Sequence, residues 1–203
     1  MKLQKSSLDK AGFAREIEER LTDSIRTKEK VRGALIPVIE QAAHLLIEAL
    51  ESGHKILLFG NGGSAADSQH IAAELVGKLL VRRRALPALA LTTDTSSLTA
   101  LGNDFGYESI FQRQIEALGQ PGDVAVGIST TGRSPNVLSA ITTARQKGLK
   151  TVALTGRDGK PLADMVDISI TVPSDSTQRI QESHITIGHI LCELIEAHFT
   201  ASQ

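Results

Sequence analysis

The first quarter of the chain carries hydrophobic residues at helical spacing in two stretches. Apolar side chains recur every three or four positions over residues 8–27 and again over 31–50, which places them on one face of a helix. The positions in the first stretch are Phe13, Ile17, Leu21 and Ile25, and those in the second are Leu35, Val38, Ala42, Leu46 and Leu50. The pattern predicts two amphipathic helices, and Pro37 marks either the first turn of the second helix or a kink in it.

After Gly53 the pattern changes to short apolar runs, each followed by glycine, hydroxyl residues or aspartate. The five runs with their polar ends are KILLFGNGGS, ALALTTD, DVAVGISTTGRS, KTVALTGRDG and DISITVPSD. Longer segments with helical periodicity cover residues 65–80, 135–147 and 178–199. This alternation predicts an α/β fold with a mainly parallel sheet, and such sheets bind ligands at the carboxyl ends of their strands.

Composition narrows the class of protein. A length of 203 residues suits one domain, and 22 basic against 23 acidic residues leave a formal charge of −1, without the basic excess that bulk nucleic-acid binding needs. The single Cys192 excludes an intrachain disulfide and a thiolate zinc site, and it suits a reducing compartment. The start, MKLQKSSLDKAGF, lacks an apolar run of signal-peptide length, and no later run is long enough to span a bilayer. We therefore expect a cytoplasmic protein with no membrane or nucleic-acid partner.

The first candidate ligand loop is Gly60-Asn61-Gly62-Gly63-Ser64, which joins a strand to a helix. Glycines let a ligand approach the backbone closely, and the free N–H groups at the start of the helix favour an anion. Glycine turns are also routine after strands, so this loop alone is as consistent with a simple turn as with a ligand site. Its spacing does not match G-x-G-x-x-G, which gives no support for dinucleotide binding.

The second candidate loop, Ser129-Thr130-Thr131-Gly132-Arg133-Ser134, places four hydroxyls and one guanidinium between a strand and a helix opened by Pro135. Hydroxyls, free amides and the helix dipole all favour a phosphate at this position. The alternative is that Ser134 is only the helix N-cap and the other hydroxyls are solvated. The density of hydroxyls favours phosphate binding. A nucleoside triphosphatase is not expected, because G-x-x-x-x-G-K-[ST] is missing.

Candidate metal ligands lie on two of the predicted helices. His70 and Glu74 are four residues apart and share a helix face, although such a pair alone is more often part of a solvated polar surface. The last helix carries Gln181, His184 and His189, and a histidine beside an apolar stripe is usually a core or interface residue. Two neutral imidazoles and one carboxylate nevertheless form a common zinc set, which an amide oxygen could complete.

Five motifs in order resemble the sugar isomerase (SIS) domain and, within it, the phosphoheptose isomerases. They are GNGGSAADSQHIAAEL, LGNDFGYESIF, GDVAVGISTTGRSPNV, VALTGRDG and RIQESHITIGHILCELIE, within residues 53–196. The resemblance implies a single SIS domain over 1–203, built as a three-layer sandwich around a five-stranded parallel sheet and preceded by oligomerisation helices at about 8–50. It also implies a homotetramer. The implied reaction is an aldose–ketose isomerisation of sedoheptulose 7-phosphate to D-glycero-D-manno-heptose 7-phosphate, for bacterial envelope heptose.

The resemblance also implies roles for individual residues. Substrate contacts fall on Asn61, Gly62, Gly63, Glu74, Asn103, Asp104, Ser129, Thr130, Thr131, Ser134 and Gln181. One zinc ion per subunit would be held by His70, Glu74, Gln181 and His189. Isomerisation needs a base and a proton donor, and our candidates are Glu74 and His189. The chain departs from the residues that are common in the family at Lys78, Thr131, Arg133 and Gln178. Gln178 replaces an acid that some active members carry.

Two other classes of SIS protein compete with the enzyme. One is a non-catalytic protein resembling the bacterial factor that binds the replication initiator, in which the positions matching Glu74 and His189 do not carry an acid and a histidine. The other is a sugar-phosphate sensor in transcription control. Such a sensor normally carries a DNA-binding domain, for which the roughly fifty residues before Gly53 leave little room. Both comparisons favour the enzyme.

One geometrical difficulty concerns the implied metal site. Gln181 and His189 are eight residues apart, which in a continuous helix is about 12 Å along the axis and about 80° around it. A distorted helix, extended side chains or ligands from different subunits could each bring them together. We prefer the third, and we expect an obligate oligomer in which at least one of the four implied ligands enters a site built mainly by another chain.

Overall fold

The computed structural model describes residues 10–201 and begins with two long helices. Helix α1 covers Lys10–Ala34 and α2 covers Ile36–Glu51, so the predicted start of the first helix at Leu8 lies outside the described residues. The axes of the two helices differ in direction by 72°. Pro37 lies in the first turn of α2, as one of the two sequence interpretations had it.

The expected separation of these helices between residues 27 and 31 is wrong. The stretch Thr27-Lys-Glu-Lys-Val31 contains no glycine or proline and continues α1 without a break. The chain turns at Leu35 because Pro37 lacks an N–H group and its ring would collide with the carbonyl of a preceding helical turn. Within residues 10–201 no single helix is long and apolar enough to cross a membrane, although α1 and α2, taken together as a bent pair, meet the length and composition criteria.

The five predicted strands are all present. They are β1 at Ile56–Gly60, β2 at Ala88–Ala90, β3 at Val124–Ser129, β4 at Lys150–Gly156 and β5 at Ile168–Val172. They pair in the order β2-β1-β3-β4-β5, and every pair is parallel. The expectation of a five-stranded parallel sheet is confirmed.

The predicted helices over 65–80, 135–147 and 178–199 correspond to three of the remaining helices. The full set is α3 at Gly63–Val76, α4 at Thr95–Phe105, α5 at Gln112–Leu118, α6 at Pro135–Gln146, α7 at Leu162–Met165 and α8 at Thr177–Ala201, with a short 3₁₀ helix at Tyr107–Ser109. The end expected for α3 at Leu80 is wrong. The helix stops at Val76, before Gly77, and the backbone N–H groups of residues 79–81 donate instead to a carboxylate of α8.

Helices cover both faces of the sheet and make the expected three-layer sandwich. One hydrophobic core joins α2, α3 and α8 to the sheet, and the other joins α5 and α6 to its opposite face. Strand β1 contributes Ile56 and Leu58 to the first core and Leu57 and Phe59 to the second. A strand buried on both faces is uniformly apolar, which is why its sequence reads as a continuous hydrophobic run.

The order of the strands determines where a ligand can bind. Strand β1 lies between β2 and β3, so the connection from β1 to β2 runs to one side of β1 and the connection from β2 to β3 crosses to its other side. A crevice opens at such a point, outside the carboxyl ends of the two strands. Gly60 at the end of β1 is in register with Ile128 near the end of β3, so the loops that follow these strands are neighbours.

Candidate active site

The loop after β3 holds a pair of hydroxyl groups at its two ends. Ser129 Oγ lies 3.0 Å from Ser134 Oγ, and the N–H of Gly132 donates to Ser129 Oγ at 3.2 Å. Ser134 occupies the N-cap position of α6, but its hydroxyl does not cap the helix. The simple capping interpretation of Ser134 therefore does not hold, and the loop presents two adjacent hydroxyls at the start of a helix, where an anion is favoured.

The conformation of this loop depends on Gly132. Its φ of +64° favours glycine, and a Cβ at this position would overlap the carbonyl oxygen of Gly159. Of the remaining loop residues, Thr130 is half-buried, whereas Thr131 and Arg133 are exposed. Arg133 lines a small cavity with Thr130 and Thr131 of the loop and with Asp158 and Asp175.

The loop after β1 is joined to α6 by a reciprocal pair of amides. Asn61 Nδ2 donates to Asn136 Oδ1 and Asn136 Nδ2 donates to Asn61 Oδ1, each at 2.9 Å. The Tyr107 hydroxyl also donates to Asn61 Oδ1, at 3.1 Å. Asn136 is buried, so the pair fixes the orientation of the Asn61 side chain. These residues and Ser134 line a cavity of about 440 Å³.

Sequence reasoning missed Asn136 and Tyr107 as members of the site. Asn136 lies in the first turn of α6, directly after residues 129–134, which we call the hydroxyl loop. Tyr107 lies within the motif LGNDFGYESIF. The two residues implied by that same motif behave differently. Asn103 and Asp104 are exposed near the end of α4, where the Asn103 amide donates to the Asp104 carboxylate at 2.7 Å. Within residues 10–201 neither forms a hydrogen bond to the two loops.

The contact between α3 and α8, which we call the ligand groove, brings three candidate metal ligands together. His70 Nε2 lies 2.9 Å from His189 Nε2 and 3.3 Å from Glu74 Oε1. The ligand atoms of all three residues lie within 4.8 Å of one another. His70 is exposed, while Glu74 and His189 are half-buried, so the cluster is open on one side. A single chain supplies all three, so Gln181 is the implied ligand that is left for a second chain to supply.

Gln181, the fourth implied ligand, lies at the other end of the groove. A Cβ on Gly63 would be 2.5 Å from Gln181 Nε2, so the amide of Gln181 packs on the first residue of α3. His70 follows Gly63 by seven residues, about 10.5 Å along the helix. This arrangement brings Gln181 next to the loop of residues 60–64, which we call the glycine loop, and leaves it away from the three clustered ligands of its own chain.

Two further ionisable residues near the groove lie outside the implied ligand set. Asp67 lies one helical turn before His70, and its Oδ2 is buried with no hydrogen-bond partner among the described residues. Burial raises the pKa of Asp67, and the neighbouring His70 and His189 act in the opposite direction. His184 is fully buried on α8, its Nε2 lies 3.1 Å from the carbonyl oxygen of Thr155, and burial lowers its pKa to about 4. A neutral, buried His184 agrees with the expectation of a core histidine.

The cluster has the composition and spacing of a zinc site. Two imidazole nitrogens and a carboxylate oxygen are the donor set of several catalytic zinc centres, where water or substrate takes the fourth position. Bonds of about 2.0–2.2 Å to one ion place tetrahedral ligands roughly 3.3 Å apart. The distances of 2.9 Å and 3.3 Å from His70 to the other two ligands are close to this value. His70, Glu74 and His189 therefore fit a zinc ion with one open position.

Comparisons with known proteins place the chain in a family. The SIS domain model matches residues 21–156, which is more than half of the chain. The phosphoheptose isomerase of Geotalea daltonii is 55% identical over 181 residues, covering 89% of this chain and 94% of the relative. The solved structure of phosphoheptose isomerase GmhA from Neisseria gonorrhoeae matches with a TM-score of 0.87 at 45% identity, covering 91% of this chain and 99% of that one.

A phosphoheptose isomerase from Francisella tularensis matches with a TM-score of 0.88 at 40% identity, covering 91% of this chain and 98% of that chain. These likenesses extend over nearly the whole length of each relative, and they agree with the five motifs, the sheet order and the ligand cluster. The chain belongs to the SIS-domain family and, within it, to the phosphoheptose isomerases.

Proposed function

We propose that this chain is an aldose–ketose isomerase that converts sedoheptulose 7-phosphate to D-glycero-D-manno-heptose 7-phosphate, in the synthesis of heptose for the bacterial envelope. The observation that carries the proposal is the convergence of His70, Glu74 and His189 on the contact between α3 and α8, along which Gln181 lies against Gly63 of the glycine loop. The high identity to phosphoheptose isomerases over most of the chain supports the same reaction.

The length of the groove suits this substrate. Gly63 of the glycine loop and His70 of the ligand cluster are seven residues apart on α3, about 10.5 Å along the helix axis. An extended seven-carbon sugar phosphate spans roughly 10 Å, since each carbon–carbon bond is about 1.5 Å. A phosphate at the loops around Gly63 and Ser134 would leave the carbonyl end of the sugar beside Glu74 and His189.

The reaction moves protons and needs no external oxidant. We assign Glu74 as the base that takes the proton from the carbon beside the carbonyl, and His189 as the donor that protonates the carbonyl oxygen. The hydroxyl proton of the first carbon then leaves, and the second carbon gains a proton, so that ketose becomes aldose with no net change in atoms. Substrate contacts are assigned to Asn61, Gly62, Gly63, Glu74, Asn103, Asp104, Ser129, Thr130, Thr131, Ser134 and Gln181.

We assign His70, Glu74 and His189 as zinc ligands, with Gln181 as a fourth only if the side chain moves or a second chain supplies it. Zinc would polarise the carbonyl as a Lewis acid and stabilise the negative charge that develops on oxygen. The open side of the cluster supports this role, because substrate needs a free position. A carboxylate or imidazole bound to zinc has fewer free lone pairs, so the metal and the proton transfers compete for the same atoms.

The proposal includes a homotetramer. Helix α1 carries four large apolar side chains at four-residue spacing that are between 56% and 61% exposed, namely Phe13, Ile17, Leu21 and Ile25. An apolar stripe of this length on a helix is typical of helix–helix packing between subunits. Light scattering of the purified protein measures the assembly directly, and a monomer at assay concentration would contradict the proposal. The cytoplasmic location remains a prediction from the sequence.

Neither competing class gains a specific observation. The presence of Glu74 and His189 in one cluster supports an enzyme over a non-catalytic SIS protein.

Gln178, which stands where some active family members have an acid, lines a cavity with Arg20 and Asp23 of α1 and accepts a hydrogen bond from the Ser176 hydroxyl. This position keeps it apart from the clustered ligands. We therefore expect that replacing Gln178 affects the rate less than replacing a clustered ligand.

The test is an assay of the purified chain with sedoheptulose 7-phosphate. We expect an aldoheptose phosphate to form, activity to fall when a strong chelator removes metal, and activity to return with added zinc. Absence of heptose product with zinc supplied would refute the isomerase. Activity that is indifferent to the chelator, in protein shown to be metal-free, would refute the metal while leaving the isomerase in place.

A further inference from the structure

A buried carboxylate on α8 fixes the chain that leaves α3. Glu196 is 2% exposed and accepts three backbone hydrogen bonds, from Leu79 at 3.0 Å, Leu80 at 2.6 Å and Val81 at 3.1 Å. Burial raises the pKa of the Glu196 carboxyl, but these N–H groups and the nearby Arg83 outweigh it and leave the pKa below its ordinary value. The ionised carboxylate holds residues 79–81 against α8.

The side chain of Arg83 then reaches back to the end of α3. Its guanidinium donates to the carbonyl oxygens of Glu74 at 2.7 Å and Leu75 at 2.8 Å, which lie in the last turn of the helix. The Arg83 side chain is fully buried, and its Nε lies 3.4 Å from Glu196 Oε1. One cation therefore satisfies open carbonyls of α3, including the carbonyl of Glu74 itself, while it pairs with a carboxylate of α8.

The two helices joined by this pair are the two that carry the clustered ligands. Glu196 follows His189 by seven residues, about two turns, and so lies on the same face of α8. Elsewhere in the interface, Gly188 packs directly on Ile71, where a Cβ would be 2.7 Å from Ile71 Cδ1. Because Gly188 and Ile71 are in such close contact, α3 and α8 are fixed against each other at this point. A displacement of the end of α3 beyond it would therefore change the distance from Glu74 to His189.

We propose that Arg83 and Glu196 are positioning residues that set the spacing of Glu74 and His189, and with it the affinity of the groove for a divalent metal. The inference rests on the proposed metal role of that groove. Partners of metal ligands commonly change metal affinity about 10- to 100-fold when they are replaced. A purely structural pair would change stability and leave the affinity of the folded protein unaltered.

The chain offers a control for loss of the cation beside a buried carboxylate. Lys55 Nζ lies 2.5 Å from Asp123 Oδ2, and the Asp123 side chain is 2% exposed, as is that of Glu196. This second pair lies at the amino ends of β1 and β3, whereas the candidate site lies at the carboxyl ends of these strands. Lys55→Met therefore removes the lysine partner of a buried carboxylate at a place away from α3 and α8.

The experiment measures Co²⁺ affinity by competition with a chromophoric chelator, together with urea unfolding, in the full chain and its variants. We expect Arg83→Met to weaken Co²⁺ binding about 10- to 100-fold and to change the visible spectrum of the bound ion. Lys55→Met should lose stability and keep its Co²⁺ affinity. Arg83→Lys, which keeps the charge and is the safer variant for folding, should recover part of the affinity.

A double variant separates geometry from stability. Arg83→Met with Glu196→Gln leaves no buried unpaired charge, so stability should partly return while Co²⁺ affinity stays low. Affinity that recovers in step with stability, or an Arg83→Met protein that binds Co²⁺ as tightly as Lys55→Met, would overturn the positioning role.

If the unaltered chain binds no Co²⁺, the metal proposal fails, and the positioning role is then decided by kcat. A kcat of Arg83→Met equal to that of Lys55→Met would refute it.

Discussion

The hydroxyl loop and the ligand groove are built in opposite ways. The loop after β3 is one continuous segment in which Ser129 and Ser134 meet across five residues. The groove joins His70 and His189, which are 119 residues apart, and it exists only because α3 packs on α8. Local sequence determines the first region, whereas long-range packing determines the second.

This difference suggests a division of labour within the site. Free hydroxyls and amides at the start of a helix bind an anion without changing it, so the loop suits recognition of the phosphate. A carboxylate and two imidazoles can move protons and hold a metal, so the groove suits the chemistry. Changes in the groove should therefore act mainly on kcat, and changes in the loop mainly on KM.

The largest effect is expected in the groove. Glu74→Gln should lower kcat about 10²- to 10⁴-fold, the usual contribution of a general base, with KM little changed. Stability should change only modestly, because the side chain is partly exposed at the groove. Steady-state kinetics with sedoheptulose 7-phosphate give both constants, and Glu193→Gln, at an exposed position of α8, is the matched control.

Mixed oligomers sharpen the same prediction. Since one chain supplies both Glu74 and His189, mixing Glu74→Gln with His189→Gln protein under conditions of subunit exchange should restore no activity. Recovery of activity in the mixture would place the two residues of one working site on different chains. Full activity of Glu74→Gln alone would remove that residue from any essential role.

The next effect concerns α8, which connects the two regions. His184 is buried between Gln181 at the loop end and His189 in the groove, and its folded-state pKa is about 4 against an ordinary value of 6.5. The unfolded chain therefore binds a proton in this interval that the folded chain does not, so His184 lowers stability as pH falls from 6.5 to 4. The loss should reach about 3 kcal/mol at the acid end, as an order of magnitude.

Urea unfolding between pH 7 and pH 4.5 measures this slope. His184→Gln keeps an N–H group for the Thr155 carbonyl and should show a shallower fall in stability with decreasing pH. His44→Gln, at an exposed position of α2, should retain the original slope. Identical slopes in His184→Gln and the unaltered chain would show that this histidine is not buried in its neutral form.

The same contrast between local and long-range structure explains what the sequence could predict. Each strand and each site loop is a contiguous run with its own signature, so the five strands and both loops were found in the right places. Helix α4 was missed because it buries none of its side chains, although Asp94 accepts from the N–H of Ser97 as an N-cap. That cap was a signal available in the sequence.

Features that depend on packing could not be read in the same way. The amide pair of Asn61 and Asn136 joins residues 75 positions apart, and nothing in either segment indicates the other. The residues Arg83 and Glu196 are even farther apart in sequence, and an arginine in the run Arg82-Arg83-Arg84 gives no sign that it is buried. The placement of Gln181 on Gly63 likewise follows from the parallel packing of α3 and α8.

The smallest of the expected effects belongs to the loop. The Ser134 hydroxyl contacts Ser129 and does not cap α6, so Ser134→Ala should leave the helix intact and remove one charge-assisted hydrogen bond to phosphate. Such a bond contributes about 1–3 kcal/mol, which corresponds to a rise in KM of about 5- to 150-fold with kcat nearly unchanged. Ser139→Ala is the control, because that hydroxyl donates to Gln112 on the far side of α6.

Inorganic phosphate provides an independent readout of the same contact. If Ser134 binds the phosphate group, the inhibition constant of free phosphate should rise in Ser134→Ala roughly in proportion to KM, because both ligands lose the same hydrogen bond. A rise in KM with unchanged phosphate inhibition would move Ser134 to another part of the sugar. If KM and phosphate inhibition are both unchanged, Ser134 does not bind the phosphate. If kcat falls while KM and phosphate inhibition stay unchanged, the loop takes part in the chemistry, and the proposed division between a binding loop and a catalytic groove is wrong.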